Sequence, residues 1–171
     1  WPDRCVSAQG KSCGLCERAC PYGAIDYEQG RAAEVITAKC HGCGACVAEC
    51  PHDSITQLHY TDAQILAQIR TLLATEPHKE ILALRCHWCS YGGADLAGTS
   101  HFEYTSNERG IKVMCSARMD SDFIYEAYRL GAGAILYSGC HPQDCHYITG
   151  QIVGAKRAKR LETIFERMGM S

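Results

Sequence analysis

The stretch that decides the fold of the first half is residues 13–21, with the sequence CGLCERACP, which returns at residues 43–51 as CGACVAECP. Each copy spaces its cysteines as Cys-x2-Cys-x3-Cys and follows the last one with proline. One further cysteine precedes each copy, Cys5 before the first and Cys40 before the second. This spacing is typical of iron–sulfur cluster ligands, with three thiolates on one tight loop and the fourth directed away from it.

The doubled unit resembles the bacterial type of ferredoxin, in which the cysteine before proline binds the cluster of the other copy. We therefore expect residues 1–60 to form an α+β ferredoxin-like domain that holds two [4Fe–4S] clusters with crossed ligand sets. The predicted ligands of the first cluster are Cys5, Cys13, Cys16 and Cys50. The predicted ligands of the second cluster are Cys20, Cys40, Cys43 and Cys46.

The two copies differ in the loop that brings in the first cysteine. The second copy has the usual Cys40-x2-Cys43, whereas the first has Cys5-x7-Cys13. A longer loop reaches the same corner of a cluster, so we expect a cubane here as well, and without Cys5 a three-iron form. Zinc is the rival metal for any Cys-x2-Cys pair, but the Cys-Pro ending and the crossed repeat favour iron.

Composition limits the classes of protein to which the chain can belong. The 171 residues include thirteen cysteines and carry a net charge of −2, which argues against a nucleic-acid partner. No apolar run reaches the length of a membrane span. No export signal is visible, and the spacing is that of metal ligands, so reduced thiols in the cytoplasm of an anaerobe are expected rather than disulfides.

A connecting segment, residues 61–79, separates this half from the rest. Thr61 and Gln64 form a capping box ahead of an apolar stripe at helical spacing, which predicts a helix over about 62–75. Pro77 prevents its continuation. The predicted organisation is therefore a ferredoxin domain at 1–60, a connecting helix at 61–79 and a second domain at 80–171.

The second half alternates strand-like and helix-like segments. Strands are predicted at 80–85, 111–114 and 134–138, and helices at 121–130 and 146–168, which indicates an α/β domain with a short parallel sheet. Sites in such sheets form beyond the carboxyl ends of the strands. The five remaining cysteines follow those ends and are expected to converge there: Cys86, Cys89, Cys115, Cys140 and Cys145.

Three interpretations of these five thiols remain open from the residues alone. A [2Fe–2S] cluster needs four of them, a zinc site also needs four, and a redox dithiol needs only Cys86 and Cys89. The iron cluster fits best, because it would add a third redox centre to the first two. The basic run in the last helix, Lys156, Arg157, Lys159 and Arg160, is interpreted as a solvated face.

Three long motifs of the second half resemble the delta subunit of methyl-viologen-reducing hydrogenase. They are CHWCSYGGADLAG at 86–98, VMCSAR at 113–118 and GCHPQDCHY at 139–147. The first half, as far as residue 66, resembles the C-terminal ferredoxin part of the A-type subunit of heterodisulfide reductase. The whole chain thus resembles a fusion of these two families.

The resemblance implies an electron-transfer module without catalytic residues of its own. It implies that a [2Fe–2S] cluster receives electrons from a hydrogenase or a formate dehydrogenase. The ferredoxin clusters then pass them to FAD in a partner domain of the heterodisulfide reductase type, within an electron-bifurcating complex. No Gly-x-Gly-x-x-Gly occurs in the chain, so no flavin site is expected here. The alternatives are a ferredoxin-linked disulfide reductase that uses Cys86 and Cys89, and a structural zinc adaptor.

Overall fold

The computed structural model describes residues 1–170. The α-helices are α1 Leu15–Ala19, α2 Ala45–Ala48, α3 Asp62–Leu72, α4 Gly92–Thr99, α5 Ser121–Arg129 and α6 Gly150–Arg167. The strands are β1 Ile25–Asp26, β2 Glu34–Val35, β3 Ile81–Cys86, β4 Glu108–Val113 and β5 Ala134–Ser138. Short 3-10 turns lie at Pro2–Arg4, Pro77–Lys79 and Ser116–Arg118, and a π-helical turn lies at His87–Tyr91.

The internal repeat of the first half gives two similar short helices. Gly14 precedes α1 with φ 68° and Gly44 precedes α2 with φ 79°, and both conformations favour glycine. Between the helices, β1 and β2 pair in antiparallel fashion, with Ile25 opposite Val35. The ferredoxin-like assignment of residues 1–60 stays a prediction, as do the domain limits.

Helix α3 confirms the capping box. The Thr61 hydroxyl accepts a hydrogen bond from the backbone N–H of Gln64, and the Gln64 side chain accepts from the Thr61 N–H. The helix ends at Leu72, earlier than the predicted 75, and Glu76 takes a left-handed φ of 48° ahead of Pro77. Its apolar stripe packs into the main core, with Ile65 and Ile69 fully buried.

The second half contains a three-stranded parallel sheet in the order β4-β3-β5, as the alternating pattern predicted. Strand β3 lies in the centre, and Leu82, Ala83 and Leu84 are fully buried. Strand β4 begins at Glu108, three residues earlier than predicted, where it pairs with Ile81 and its carboxylate bonds to Arg85. Among the described residues, no helix is both long and apolar enough to cross a bilayer.

The solvated interpretation of the basic run in α6 is wrong for Arg157. This side chain is 8% exposed, and it bonds to the Glu49 carboxylate of the first half and to the carbonyl oxygens of Ala117 and Met119. The helix turns Arg157 inward, whereas Lys156 and Arg160 stay exposed. A contact with a segment more than a hundred residues away leaves no local trace in the sequence.

Candidate iron–sulfur sites

A first group of thiols surrounds one cavity. Cys5, Cys13, Cys16 and Cys50 line it, together with Gly14, Tyr27 and Ser54. These are the four cysteines predicted for the first cluster, and they come from three separate stretches of the chain. Burial raises the pKa of the Cys16 thiol, and the negative charges of Cys50 and Cys13 raise it further. The structure thus brings the set together, and its role as a ligand set stays a prediction.

The long loop before Cys13 is folded back on itself. Ser7 is fully buried, its hydroxyl donates to the Glu28 carbonyl, and its own carbonyl accepts from the N–H groups of Gly10 and Gly30. This fold returns Cys5 to the cavity despite the extra residues. Burial raises the pKa of the Cys5 thiol, but hydrogen bonds from the backbone of Ala33, Ala8 and Ser7 outweigh it, and the net pKa is lowered.

A second group of thiols is formed by Cys20, Cys40, Cys43 and Cys46. Burial raises the pKa of Cys46 to about 12, and the negative charges of Cys43, Cys20 and Cys40 contribute to the rise. Burial likewise raises the pKa of Cys43, next to Cys20 and Cys40. The four cysteines predicted for the second cluster are therefore neighbours, while Cys40 stays exposed to solvent.

The repeat also reproduces the hydrogen bonds to sulfur. The N–H of Ala24 donates to Cys20 Sγ at 3.3 Å, and the N–H of Ser54 donates to Cys50 Sγ at 3.4 Å. Each donor lies four residues after its cysteine, beyond the proline. Donors of this kind stabilise negative charge on ligating sulfur and raise a cluster's potential.

The third group lies at the carboxyl ends of the parallel strands, with Cys140 at its centre. Cys140 Sγ is 3.7 Å from Cys86 Sγ. Burial raises the pKa of Cys140, but hydrogen bonding with the nearby thiols of Cys89, Cys86 and Cys145 lowers it below the ordinary value. Hydrogen bonding to Cys140 raises the pKa of Cys89 to about 11.

Cys115, the fifth thiol, is fully buried on the side that faces the first half of the chain. Its sulfur contacts Gly150 at the start of α6, and the Cys145 sulfur lies beside the same glycine. Burial raises the pKa of Cys115, with contributions from the charges of Cys145, Cys86 and Cys43. Cys115 and Cys43 belong to one buried apolar cluster with Ala45, Ala117 and Tyr147. The second and third thiol groups are thus adjacent.

Three aromatic side chains form a cluster next to the cysteines of the third group. Trp88 stacks on His146 with ring centroids 3.5 Å apart, and Tyr147 meets the edge of both rings. Trp88 remains 44% exposed, and Cys89 beside it is also exposed. One side of this group therefore opens to solvent, while Cys115 lies on the buried side.

The chemistry of the donor set fits iron–sulfur clusters. All thirteen cysteines are free thiols, and most of the shifted thiol pKa values are raised by burial and by neighbouring thiols. So many buried thiolates need a bound cation, because each would otherwise lose solvation and repel the next. Within residues 1–170, no three His, Cys, Asp or Glu side chains are arranged to hold a single metal ion.

Sequence reasoning missed two buried arginines that join the halves. Arg157 bonds to Glu49 in the segment between Cys46 and Cys50. Arg118 bonds to the Tyr60 carbonyl and to Asp62, and its side chain packs on Gly44. The signal in the sequence was the place of Arg118 at the end of the motif VMCSAR at 113–118.

A protein with three thiol groups of this kind, two of them in a doubled Cys-Pro unit, belongs to the class of iron–sulfur proteins. Comparison with known families narrows this class. Residues 5–61 match the LdpA Fe-S cluster-binding domain. Residues 81–171 match the methyl-viologen-reducing hydrogenase delta subunit, and the chain belongs to that family.

Individual relatives agree with both matches. The A-type subunit of the ferredoxin:CoB-CoM heterodisulfide reductase of Methanosarcina mazei is 39% identical over 173 residues, which cover 99% of this chain and 21% of the relative. The D-type iron-sulfur subunit of the F420-non-reducing hydrogenase vhc of Methanococcus voltae is 40% identical over 91 residues, 53% of this chain and 63% of the relative. The corresponding hydrogenase subunit of Archaeoglobus profundus is 34% identical over 98 residues, 57% of this chain and 72% of the relative.

The aligned lengths show how much of each relative the chain covers. It spans about a fifth of the heterodisulfide reductase proteins and includes a region similar to the iron-sulfur subunits of the hydrogenases. The predicted resemblance to a fusion of the two families is therefore confirmed.

Proposed function

We propose that this chain relays electrons through three iron–sulfur centres within a complex of the hydrogenase and heterodisulfide reductase type. A [2Fe–2S] cluster at the third thiol group receives electrons from a hydrogenase or a formate dehydrogenase. The [4Fe–4S] cluster of the second group takes them next, and the [4Fe–4S] cluster of the first group follows. The acceptor is FAD in a partner domain of the heterodisulfide reductase type, which splits the electron pair.

The observation that carries this proposal is the shared buried cluster of Cys43 and Cys115. It favours direct transfer between the second and third centres, since ligand loops in contact keep two clusters close. The packing of α1, which contains Cys16, against α2, which contains Cys46, favours a similarly short step to the first centre. The relay direction is supported by the exposed Cys89 and Trp88, which give a donor access to the third group.

Cys140 is the ligand to which the proposal commits in the third group, because it is buried and its sulfur lies 3.7 Å from the sulfur of the buried Cys86. Three further ligands come from the other four cysteines. The dithiol alternative is less well supported, since a reactive dithiol needs a thiolate at neutral pH. Burial raises the pKa of Cys86, and hydrogen bonding to Cys140 raises that of Cys89 to about 11.

Iron and acid-labile sulfide per chain, measured after anaerobic reconstitution, test the proposal. We expect about ten irons for the natural chain, the sum of two four-iron clusters and one two-iron cluster. Cys140→Ser should lower the count to about eight and remove the [2Fe–2S] signal in electron paramagnetic resonance (EPR), while both cubane signals persist. About eight irons in the natural chain, with zinc or free thiols in the second half, would contradict the three-centre relay.

A further inference from the structure

Arg118 is the largest side chain that the fold buries completely. It is 0% exposed, and it lies three residues after Cys115 in the turn that contacts α2 and α6. Burial of a guanidinium is costly unless its donors are satisfied and its charge is balanced. A cation in this position therefore calls for a physical explanation.

The partners of Arg118 satisfy only part of its guanidinium group. Nη2 donates to the Tyr60 carbonyl at 2.9 Å and to the Asp62 carboxylate at 2.7 Å. The buried Nε and Nη1 atoms have no hydrogen-bond partner within the described residues. The group lies 5.2 Å from the ring centre of Phe123. Asp62 is 35% exposed, so solvent screens part of its charge.

The aliphatic part of Arg118 packs on the loop of the second thiol group. A Cβ built on Gly44 would lie 2.6 Å from Arg118 Cδ and 3.0 Å from its Cγ. Gly44 directly follows Cys43, and Gln57, which contacts the same glycine, donates to the Gly42 carbonyl at 2.5 Å. The stem of the side chain is thus held against Gly44 by close packing, which fixes the position of the cation beside this loop.

We propose that Arg118 is a positioning residue that raises the reduction potential of the [4Fe–4S] cluster at Cys20, Cys40, Cys43 and Cys46. The inference rests on the proposed function, because it requires a cluster at that site. A reduced cluster carries one more negative charge than an oxidised one. A fixed, buried positive charge therefore stabilises the reduced form, and net charge near a cluster is one of the factors that set its potential.

The same physics gives Asp62 the opposite effect. Its carboxylate is the only acidic partner of Arg118 among the described residues, and Glu49, the acidic side chain of the neighbouring helix segment, is engaged by Arg157. Removing the charge of Asp62 leaves the cation less compensated and raises the potential of the cluster. A purely structural role for Arg118 gives no such pair of opposite shifts.

Redox titration of the reconstituted chain, followed by EPR, tests the inference. The signal of the second cubane is assigned by its loss in Cys43→Ser. Arg118→Gln should lower the midpoint potential of the second cubane by about 59 mV, for a transfer of one electron. At the midpoint potential of the natural chain, the ratio of reduced to oxidised second cubane should then be about one tenth. Arg118→Lys, which keeps the charge, should stay near the natural midpoint, and Asp62→Asn should shift in the positive direction.

The control is Arg129→Gln, which removes an arginine that is exposed and paired with Glu126 on the surface of α5, and which should leave all midpoints unchanged. Equal midpoints in Arg118→Gln and the natural chain would overturn the inference, as would equal shifts in the Lys and Gln variants. If Arg118→Gln does not fold, the test is Asp62→Asn. A midpoint potential of the second cubane that does not rise in that variant would overturn the inference. Absence of a second cubane signal in the natural chain would instead overturn the proposed function.

Discussion

Two glycines on either side of Cys43 are required for different reasons. Gly42 and Gly44 both have positive φ, 70° and 79°, but their surroundings differ. Nothing lies within 4 Å of a Cβ built on Gly42, whereas one built on Gly44 would meet Gln57 and Arg118. Gly42 is therefore required by backbone conformation alone, and Gly44 also by the close packing of the second half.

Gly150 has a comparable position at the third thiol group. A Cβ at this site would overlap the Cys115 sulfur and lie 3.2 Å from the Cys145 sulfur. We expect Gly150→Ala to displace Cys115 and to change the [2Fe–2S] signal while the two cubane signals persist, measured by EPR of the reduced chain.

Gly98→Ala is the matched control, because Gly98 also lies in a helix but a Cβ there has no atom within 4 Å. This variant should keep all three signals and should not lose stability, since alanine in a helix is favoured over glycine by up to about 1 kcal/mol. An unchanged two-iron signal in Gly150→Ala would show that Cys115 tolerates displacement.

At the scale of residues, the spacing of the cysteines along the chain was enough to predict how they are grouped. The cysteine groupings follow from short loops and from strand ends, and the structure brings the predicted sets together. Arg118 and Arg157 could not be predicted, because their partners Gly44, Asp62 and Glu49 are distant in the chain. Only packing of the two halves decides that these cations are buried.

Helix α3 shows that the two ends of one element can differ in how well the sequence predicts them. Its start was predictable because the capping box is encoded within four residues, Thr61 to Gln64. Its end was not, since the chain leaves the helix at Leu73, four residues before the proline. The helix packs on the second half through Ile65 and Ile69 in the core and through Arg70, which pairs with Glu126 of α5.

Loss of the cap should weaken this connection. We expect Thr61→Ala to lower the free energy of unfolding by about 1 kcal/mol, because the Gln64 N–H loses its acceptor. The measurement is anaerobic urea denaturation of the reconstituted chain.

Thr71→Ala provides the comparison on the same helix. The Thr71 hydroxyl only donates back to the Ala67 carbonyl, which is already part of the helix, so stability should stay within about 0.5 kcal/mol of the natural value. Equal losses in the two variants would mean that the cap contributes nothing specific.

In the sheet, too, the sequence pattern predicted the topology, whereas contacts with distant residues decided where the elements begin. The order of strands and helices predicted a parallel sheet, and the register of β3 against β4 and β5 confirms it. The starts of β4 and α6 differ from the predicted ones, because tertiary contacts act at both places. Strand β4 extends back to Glu108 because Arg85 on the next strand binds its carboxylate. Helix α6 begins only at Gly150, since the preceding turns hold Cys140 and Cys145 in the thiol group.

At the scale of the whole molecule, Arg157 fastens the second thiol group to the third. It connects Glu49, which ends the helix that contains Cys46 of the second group, with the carbonyl oxygens of Ala117 and Met119, which follow Cys115 of the third. Two clusters held in this way should interact magnetically when both are reduced.

We expect Arg157→Met to weaken that interaction. The change leaves Glu49 and the buried Ala117 carbonyl without this donor, while the Met119 carbonyl keeps only the Tyr137 hydroxyl, and the loss costs about 1–3 kcal/mol of stability. The second and third groups should separate, so EPR line broadening in the fully reduced chain should diminish. Arg160→Met, a substitution at an exposed position of the same basic run, should leave the broadening unchanged. Undiminished broadening in Arg157→Met would show that other contacts keep the clusters together.

The strand order of the sheet also decides when each thiol group can form during synthesis of the chain. All eight cysteines of the first two groups lie within residues 5–50, whereas the third group joins Cys86 at the end of β3 to Cys140 after β5. Because β5 pairs with β3 and not with β4, the third group cannot close until the last strand has been synthesised and placed. During translation the cubane ligands emerge first. On the proposed function, the two cubane sites of the relay could thus be filled before the site that would receive electrons has formed.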